Sequence, residues 1–172
     1  TWIVVDPRYN RSAANADIYG RIRPGTDIAF YGGLINYILS HDLYQKEYVL
    51  NFTNAACLLR PDFKFDPNTG LFSGWDPKTK RYSEESWGYD VDHVERWDTS
   101  ATGPYAWVKK PGTPAFQTPD LEILKRDMTL TNPMCVLNVL KRHYARYTPE
   151  LVSKVTGMDQ EVMLKIWQVY AS

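Results

Sequence analysis

The sequence predicts an α/β fold: a Rossmann-like three-layer segment with short parallel strands, flanking helices and an irregular, hairpin-containing insertion. Two short runs of apolar, β-branched residues, at 2–5 and 18–22, lie on either side of a helical stretch. A longer apolar helix pattern follows, and the chain then becomes rich in Pro, Gly, Asp, Trp and Tyr. We therefore expect three regions, at 1–53, 54–132 and 133–172, of which the first and last form one domain.

The first strand is predicted at residues 2–5, where an apolar run ends at Asp6 and Pro7, as in a buried strand of a parallel sheet. Residues 12–16 have room for one or two helical turns, and residues 18–22 form the second predicted strand. This order is the strand–helix–strand crossover of α/β proteins.

A buried helix is predicted at residues 28–40, with Thr26 or Asp27 as its N-cap. The pattern is apolar on nearly every side, which is typical of a helix surrounded by other elements. Gly32 and Gly33 each weaken a helix by roughly 1 kcal/mol relative to alanine, so we expect a sheet or a ligand to approach that face closely. A second, short helix is predicted at residues 45–52.

The insertion at 54–132 carries two turn signals, Asp66-Pro67-Asn68-Thr69-Gly70 and Asp76-Pro77-Lys78, which predict hairpins. Its many aromatic residues argue against disorder, because such residues bury large areas or form contact surfaces. A surface for a partner is one interpretation of them. No internal repeat is apparent.

The C-terminal region returns to helices. One helix is predicted at 135–147, and the next begins at Thr148, with Pro149 at its first position, and ends at Gly157. The last helix, at 159–171, has four residues at core-facing spacing: Val162, Ile166, Val169 and Tyr170.

Composition excludes several classes of protein. The 172 residues include 20 Lys and Arg and 20 Asp and Glu, so no global basic field attracts nucleic acid. Cys57 and Cys135 stand in no Cys-x-x-Cys spacing, which excludes a self-contained zinc or iron–sulfur site and favours buried apolar thiols. The chain has no signal-peptide pattern and no run of about 18 apolar residues. It starts within an apparent strand, which favours a segment of a longer polypeptide.

Two polar runs follow the predicted strands. Asp6 lies at the carboxyl end of the first strand, where nucleotide-binding folds hold ribose hydroxyls with a carboxylate. An Asp-Pro turn alone would also explain this residue, and no glycine-rich phosphate loop precedes it. Arg23-Pro24-Gly25-Thr26-Asp27 forms a tight turn before the long helix, whose free amides and dipole favour an anion. Asp27 is suited to accept hydrogen bonds from a guanine edge, with helix capping as the alternative. Because one crossover brings both strand ends to the same edge of the sheet, the two runs together predict a nucleotide site.

The run from Val4 to Asp27 resembles the guanine-dinucleotide-binding segment of the molybdenum and tungsten oxidoreductases that carry two pyranopterin guanine dinucleotides. Within this superfamily it is most similar to the large catalytic subunit of respiratory formate dehydrogenase. The similarity continues through short motifs along the chain: Gly70-Leu71-Phe72-Ser73-Gly74, Ser86-Trp87, Arg126-Asp127, Pro133, Cys135 and Arg146-Tyr147-Thr148-Pro149. Residues 93–122 match least.

The resemblance implies that one guanine dinucleotide arm contacts two runs of this chain. Asp6 would hold the ribose and Asp27 the guanine, with three arginines beside the phosphates. The full predicted cofactor site is Asp6, Pro7, Arg8, Tyr9, Asn10, Arg11, Arg23, Gly25, Thr26 and Asp27. No catalytic residue or metal ligand is expected, because the family's metal-bound selenocysteine or cysteine and its neighbouring histidine have no counterpart here. We interpret the three histidines as surface or capping residues: His41, His93 and His143.

The resemblance further implies that the full enzyme oxidises formate to carbon dioxide and passes two electrons to iron–sulfur centres in anaerobic respiration. Its cofactor would be bis-molybdopterin guanine dinucleotide with molybdenum or tungsten, and a 4Fe-4S cluster would lie outside this segment. The expected partners are the rest of the catalytic subunit, an iron–sulfur electron-transfer subunit and formate. We expect neither nucleic acid binding nor a membrane span in this segment, and the resemblance implies that the enzyme lies in the periplasm. The segment alone is expected to be inactive. Two alternatives are a segment of a nitrate, thiosulfate or dimethyl sulfoxide reductase, and a non-catalytic binding or assembly module.

Overall fold

The computed structural model describes residues 1–84, 86–90 and 124–172, which fall into two compact units. Unit 1 comprises Thr1–Tyr44 and Tyr144–Ser172, and unit 2 comprises Gln45–His143. Short parallel strands with flanking helices in unit 1, and a small hairpin in unit 2, confirm the predicted α/β class. The poorly matching stretch at 93–122, including His93, lies outside the described part of the chain.

In chain order, the helices and strands are β1 (Ile3–Val5), α1 (Arg11–Ala14), β2 (Ile18–Gly20), α2 (Asp27–Ser40), α3 (Lys46–Phe52), β3 (Trp75–Asp76), β4 (Arg81–Tyr82), α4 (Val136–Tyr144), α5 (Pro149–Thr156) and α6 (Gln160–Ala171). None of these helices is long and apolar enough to span a bilayer.

Unit 1 opens with the predicted strand–helix–strand crossover. β1 and β2 pair in parallel, with Val5 opposite Gly20, and α1 connects them. Asn10 begins α1, because its side-chain oxygen accepts a hydrogen bond from the Ala13 amide at 2.9 Å. The ends of the two strands therefore lie side by side at one edge of the sheet.

The two C-terminal helices of unit 1 begin and end where the sequence predicts. The Thr148 hydroxyl accepts from a first-turn amide of α5, and Gly157 ends that helix in the left-handed conformation (φ 73°). In α6 the residues buried most completely are Met163 and Trp167, which the spacing argument did not select. Tyr170, predicted to face the core, is 68% exposed, because it lies in the last turn of α6, beyond the core cluster.

The predicted long helix, α2, is buried on one face only. Phe30 is buried, whereas Ile28 is 80% and Tyr31 58% exposed, so the expectation of a helix buried on nearly every side is wrong. The reason is that α2 packs against α5 and α6 on its inner face. The close approach expected at the two glycines is present, but aromatic rings make it rather than a sheet or a ligand.

A Cβ atom at Gly32 would lie 2.8 Å from the Tyr147 ring, and one at Gly33 would overlap the Trp167 ring. These distances are too short for any side chain, so both glycines are required by the packing of rings against the helix backbone. The resulting core of unit 1 consists of Ile22, Phe30, Leu34, Val152, Met158, Met163, Ile166 and Trp167.

Unit 2 contains two consecutive turns with the same arrangement. In each, Asp-Pro-x-Thr follows an aromatic residue, and the aspartate carboxylate accepts two hydrogen bonds. The backbone amide two residues further on donates at 2.9 Å in both turns. The threonine hydroxyl three residues further on donates at 2.6 Å to Asp66 and at 2.7 Å to Asp76. The left-handed position after the threonine is Gly70 in the first turn (φ 70°) and Lys80 in the second (φ 53°). These contacts confirm both turn signals.

The two cysteines lie in unit 2 as free thiols, and Cys57 and Cys135 are fully buried, as predicted. Burial raises the pKa of each thiol above its ordinary value. The Cys135 thiol also donates to the Ala55 carbonyl at 2.6 Å. Both groups therefore stay protonated at neutral pH and act as small apolar side chains.

Candidate functional site

Asp6 directly follows β1, and its amide continues the parallel pairing by donating to the Gly20 carbonyl at 3.1 Å. Its carboxylate accepts from the Arg8 amide at 2.7 Å and from the Asn10 side-chain amide at 3.3 Å. The Tyr19 hydroxyl donates to the Asp6 carbonyl at 2.9 Å. The neighbouring strand and the following loop thus hold Asp6 in place, and each carboxylate oxygen keeps further acceptor capacity.

The loop after β1 borders a surface cavity of about 640 Å³. The cavity is lined by Asp6, Arg8, Tyr9, Asn10, Arg11 and Ala14. Two guanidinium groups and one carboxylate give this lining a net positive charge. The exposed Tyr9 ring packs edge-on against the Tyr19 ring, with the centroids 5.1 Å apart. The structure therefore groups five of the predicted site residues around one cavity, with Pro7 in the loop between Asp6 and Arg8.

The second predicted run follows β2 and leads into α2. The Arg23 carbonyl accepts from the Thr26 amide at 3.3 Å, and the two central residues of this turn are Pro24 and Gly25, the latter at φ 77°. Proline followed by a residue of positive φ is the signature of a type II turn. A Cβ atom at position 25 would meet nothing within 4 Å, so the backbone conformation, and not lack of space, favours glycine there.

The first turn of α2 has no side-chain cap. Thr26 occupies the predicted N-cap position, but its hydroxyl donates to the Arg23 carbonyl at 2.7 Å and makes no bond with the first helical amides. Asp27, the first residue of the helix, is exposed. The helix start therefore keeps N–H groups and a dipole that favour negative charge. Gly25, Thr26 and Asp27 do not line the Asp6 cavity. The two predicted runs therefore lie after the ends of their own strands and do not share this cavity.

Arg23 differs from the other arginines of the predicted site. Its guanidinium donates to the carbonyls of Lys154 and Val155, at 2.8 and 3.0 Å, at the end of α5. Arg8 and Arg11, in contrast, line the Asp6 cavity. The Arg23 backbone forms the turn before α2, while its side chain points to another helix.

The described residues contain no group of three or more side chains suited to hold a metal ion. His41 is exposed and ends α2, with its Nδ1 2.8 Å from the Tyr37 carbonyl oxygen, which confirms a capping role. His143 is half-buried, and its ring stacks on the Phe72 ring at 5.3 Å. His143 lies in the last turn of α4, so its ring contact with the hairpins is additional to the surface or capping role expected of it.

Unit 2 holds a second cavity that sequence reasoning missed. Its volume is about 310 Å³, and its mainly apolar lining includes Leu59, Phe63, Phe72, Trp87, Tyr89 and Val139. Asn54, also in the lining, donates through its side-chain amide to the Tyr89 hydroxyl at 2.6 Å. The density of aromatic residues was the available signal, but the choice of rings that face one cavity depends on how the two turns fold back.

No protein-family model matches the chain. The nitrate-inducible formate dehydrogenase major subunit of Escherichia coli (strain K12) is 41% identical over 172 residues, which is 100% of this chain and 14% of that protein. The formate dehydrogenase 2 subunit alpha (cytochrome c-553) of Nitratidesulfovibrio vulgaris is 38% identical, over 98% of this chain and 14% of its own length. The formate dehydrogenase subunit alpha of Megalodesulfovibrio gigas is 36% identical, again over 100% of this chain and 14% of its own length. The chain is therefore similar over its whole length to one segment of formate dehydrogenase major, or alpha, subunits, and it spans about 14% of the length of these relatives.

Proposed function

We propose that this segment holds one guanine dinucleotide arm of a molybdenum– or tungsten–pterin cofactor in the catalytic subunit of a formate dehydrogenase. The observation that supports it most is the pairing of β1 with β2, because two polar runs then follow the carboxyl edge of one parallel sheet. Ligands of open α/β sheets bind in the crevice beyond that edge. The similarity to formate dehydrogenase major subunits over the whole chain supports the reaction.

In this proposal the Asp6 carboxylate accepts hydrogen bonds from the ribose hydroxyls. The residues present fit such a group, because each carboxylate oxygen accepts one bond within the protein, from Arg8 or Asn10, and retains a lone pair for a hydroxyl. Arg8 and Arg11 line the same cavity and would neutralise the diphosphate. Pro7 restricts the loop through its fixed φ, and Tyr9 presents an exposed ring beside it.

Asp27 accepts from the guanine edge in this proposal. Its exposed carboxylate, at the start of α2, is free to take two parallel N–H donors, which is the pattern that guanine offers. Gly25 gives the preceding turn its positive φ, and Thr26 leaves the first helical amides uncapped for a hydrogen-bond acceptor of the nucleotide.

When bound, the metal–pterin group supplies the two-electron redox chemistry that converts formate to carbon dioxide. The residues of this chain bind and orient the nucleotide tail and take no part in bond breaking. We further propose that the rest of the subunit carries a 4Fe-4S cluster, that an iron–sulfur subunit is its electron-transfer partner, and that the enzyme lies in the periplasm.

The test is the nucleotide and metal content of the full-length subunit with Asp27→Ala. Removing the carboxylate takes away two charge-assisted hydrogen bonds, so we expect affinity for the cofactor to fall by about tenfold or more. GMP released by acid hydrolysis and metal bound per subunit should both decrease. Asp6→Ala should act in the same direction.

The matched control is Glu161→Ala, because Glu161 is also an exposed acidic residue in the first turn of a helix, α6. It should leave GMP and metal content unchanged. Full metal occupancy and unchanged activity in Asp27→Ala would refute the assignment of the guanine contact.

Two other functions are distinguished by the same preparation. Reduction of nitrate, thiosulfate or dimethyl sulfoxide without formate oxidation would place the parent protein with a related reductase. An assembly module would bind no guanine nucleotide but would form a tight protein complex, and the aromatic-lined cavity of unit 2 is the feature that favours this alternative.

A further inference from the structure

The carboxyl end of α5 is satisfied by the turn that precedes α2. The last four carbonyls of a helix have no partner within it. Arg23 takes three of them in α5: its guanidinium donates to Lys154 and Val155, at 2.8 and 3.0 Å, and its backbone amide donates to Thr156 at 2.7 Å. The guanidinium also places a positive charge at the negative end of the helix dipole. A single residue therefore caps nearly the whole helix end.

Gly157 makes room for this cap. Its amide donates to the Ser153 carbonyl at 2.8 Å and so satisfies the fourth carbonyl. A Cβ atom at position 157 would lie 3.1 Å from both Cζ and Nε of Arg23, tighter than ordinary van der Waals contact, and the residue is held at φ 73°. A side chain at this position would therefore be strained in its backbone conformation and would require the Arg23 guanidinium to shift by a few tenths of an ångström, which disturbs its hydrogen bonds to α5.

The carbonyl group of Arg23 faces the other way, into the turn before α2. It accepts from both the amide and the hydroxyl of Thr26, at 3.3 and 2.7 Å. Because the hydroxyl is engaged there, Thr26 does not cap α2, and the first helical amides keep their hydrogen-bonding capacity. Arg23 thus ties the start of α2 to the end of α5 and keeps the helix start uncapped.

We propose that Arg23 is a positioning residue of the nucleotide site, which sets the turn at Gly25–Asp27 by capping α5, and that it does not bind phosphate. This inference rests on the proposed function. It assigns the phosphates to Arg8 and Arg11, whose side chains line the Asp6 cavity, and it makes Gly157 part of the same device although Gly157 lies far away in sequence.

The experiment compares Arg23→Ala, Gly157→Ala and the double variant in the full-length holoenzyme. The measured quantities are GMP per subunit and the rate at which native protein loses its nucleotide cofactor, at low and at high salt. We expect each single variant to release the cofactor about tenfold faster, and the double variant no faster than either, because both changes break one cap. Most of the acceleration should persist at high salt, since the lost hydrogen bonds join protein groups and salt screens only the charge–dipole part of the cap.

Two further variants separate positioning from stability and from charge. Thr148→Ala removes the N-cap of α5 but leaves its carboxyl end intact, so it should lower the melting temperature without accelerating cofactor release. Arg23→Gln keeps amide donors for the α5 carbonyls without a charge, so its release rate should lie between those of the wild type and Arg23→Ala. This variant also serves if Gly157→Ala does not fold.

The outcomes distinguish the two proposals. If Asp27→Ala and Arg23→Ala both retain the cofactor like the wild type, the proposed function itself fails. If Asp27→Ala releases the cofactor but Arg23→Ala does not, the positioning role is overturned. A different pattern would also overturn it. In that pattern, Arg23→Gln releases the cofactor as fast as Arg23→Ala, the acceleration disappears at high salt, and Gly157→Ala has no effect. Arg23 would then bind phosphate by charge.

Discussion

Units 1 and 2 use the same local hydrogen bond to different effect. In unit 1, Asn10, Thr148 and Asp159 each accept from a backbone amide two or three residues on, and a helix begins. In unit 2, Asp66 and Asp76 accept from the amide two residues on, and the chain turns back. The difference lies in the residues after this bond. After Thr148 and Asp159 the chain continues with an apolar pattern at helical spacing, whereas each turn of unit 2 has a left-handed residue two positions before an aromatic one. A capping bond therefore marks a change of direction, and the pattern after it decides the structure.

The two units also differ in how they bury apolar side chains. The core of unit 1 includes the fully buried Trp167 and Met163. In unit 2, the buried cluster of the described residues is smaller and consists of Cys57, Tyr89 and Leu124, while the hairpin aromatics are half-buried. We therefore expect core substitutions in unit 1 to have the largest effects on stability, and substitutions in the turns of unit 2 to have smaller ones.

The largest effect is expected from Trp167→Ala. The ring packs on the backbone of Gly33 and lies 6.1 Å from the Phe30 ring, so its removal should leave a cavity and cost about 3–5 kcal/mol. Hydrogen exchange of the α2 and α6 amides in the full-length subunit measures this loss. Tyr170→Ala removes an exposed ring from the same helix and should change stability by less than about 0.5 kcal/mol. Equal exchange in the two variants would contradict the assigned core.

Much of the fold was predictable because its signals are local. The limits of α5 follow from Thr148, Pro149 and Gly157, each of which acts on its own neighbours. The packing of rings on Gly32 and Gly33 was not predictable, since a glycine pair indicates close approach but not the approaching group.

The candidate site divides in the same way. Residues at the ends of β1 and β2 were predictable from the strand pattern, and the grouping of Asp6 with Arg8 and Arg11 follows from their place in one loop. The direction of the Arg23 side chain was not predictable, because its partner carbonyls lie 131 and 132 residues further along the chain.

A smaller, pH-dependent effect is expected at Asp127 in unit 2. Its carboxylate accepts from the Thr129 hydroxyl and from the amides of Asn132, Thr129 and Thr131, and these bonds lower its pKa from 3.8 to about 2. Because the pKa is lower in the folded state, the ionised carboxylate stabilises the fold above its ordinary pKa of 3.8, and this stabilisation is lost as the pH falls toward 2.

Asp127→Asn should therefore destabilise the chain by about 1 kcal/mol at neutral pH, a modest value because water screens this surface loop. The measurement is the difference in melting temperature between the chain and the variant from pH 2 to pH 7. We expect the difference to be constant above about pH 4 and to shrink below it. A difference that does not change with pH would rule out the carboxylate charge as its origin.

The smallest effect is expected in the repeated turns, where the first has Gly70 and the second has Lys80 in the left-handed conformation. A Cβ atom in this conformation crowds the neighbouring carbonyl, whereas glycine avoids the contact. Lys80→Gly should therefore stabilise the second turn by about 0.5 kcal/mol, after the entropy that glycine adds to the unfolded chain is subtracted. Gly70→Lys should destabilise the first turn by a similar or larger amount.

Hydrogen exchange of the Ser83 amide, which donates to the Gly74 carbonyl at 2.8 Å across the second hairpin, reports on Lys80→Gly. Lys78→Gly is the matched control, because Lys78 is an exposed lysine of the same turn without a positive φ, and glycine there should only add flexibility. Slower exchange in Lys80→Gly together with faster exchange in Lys78→Gly would mean that the left-handed position limits this turn. If both variants exchange faster, the Lys80 side chain must stabilise the second turn by more than its left-handed conformation costs. The two turns would then have the same hydrogen bonds but a different balance of backbone and side-chain energies.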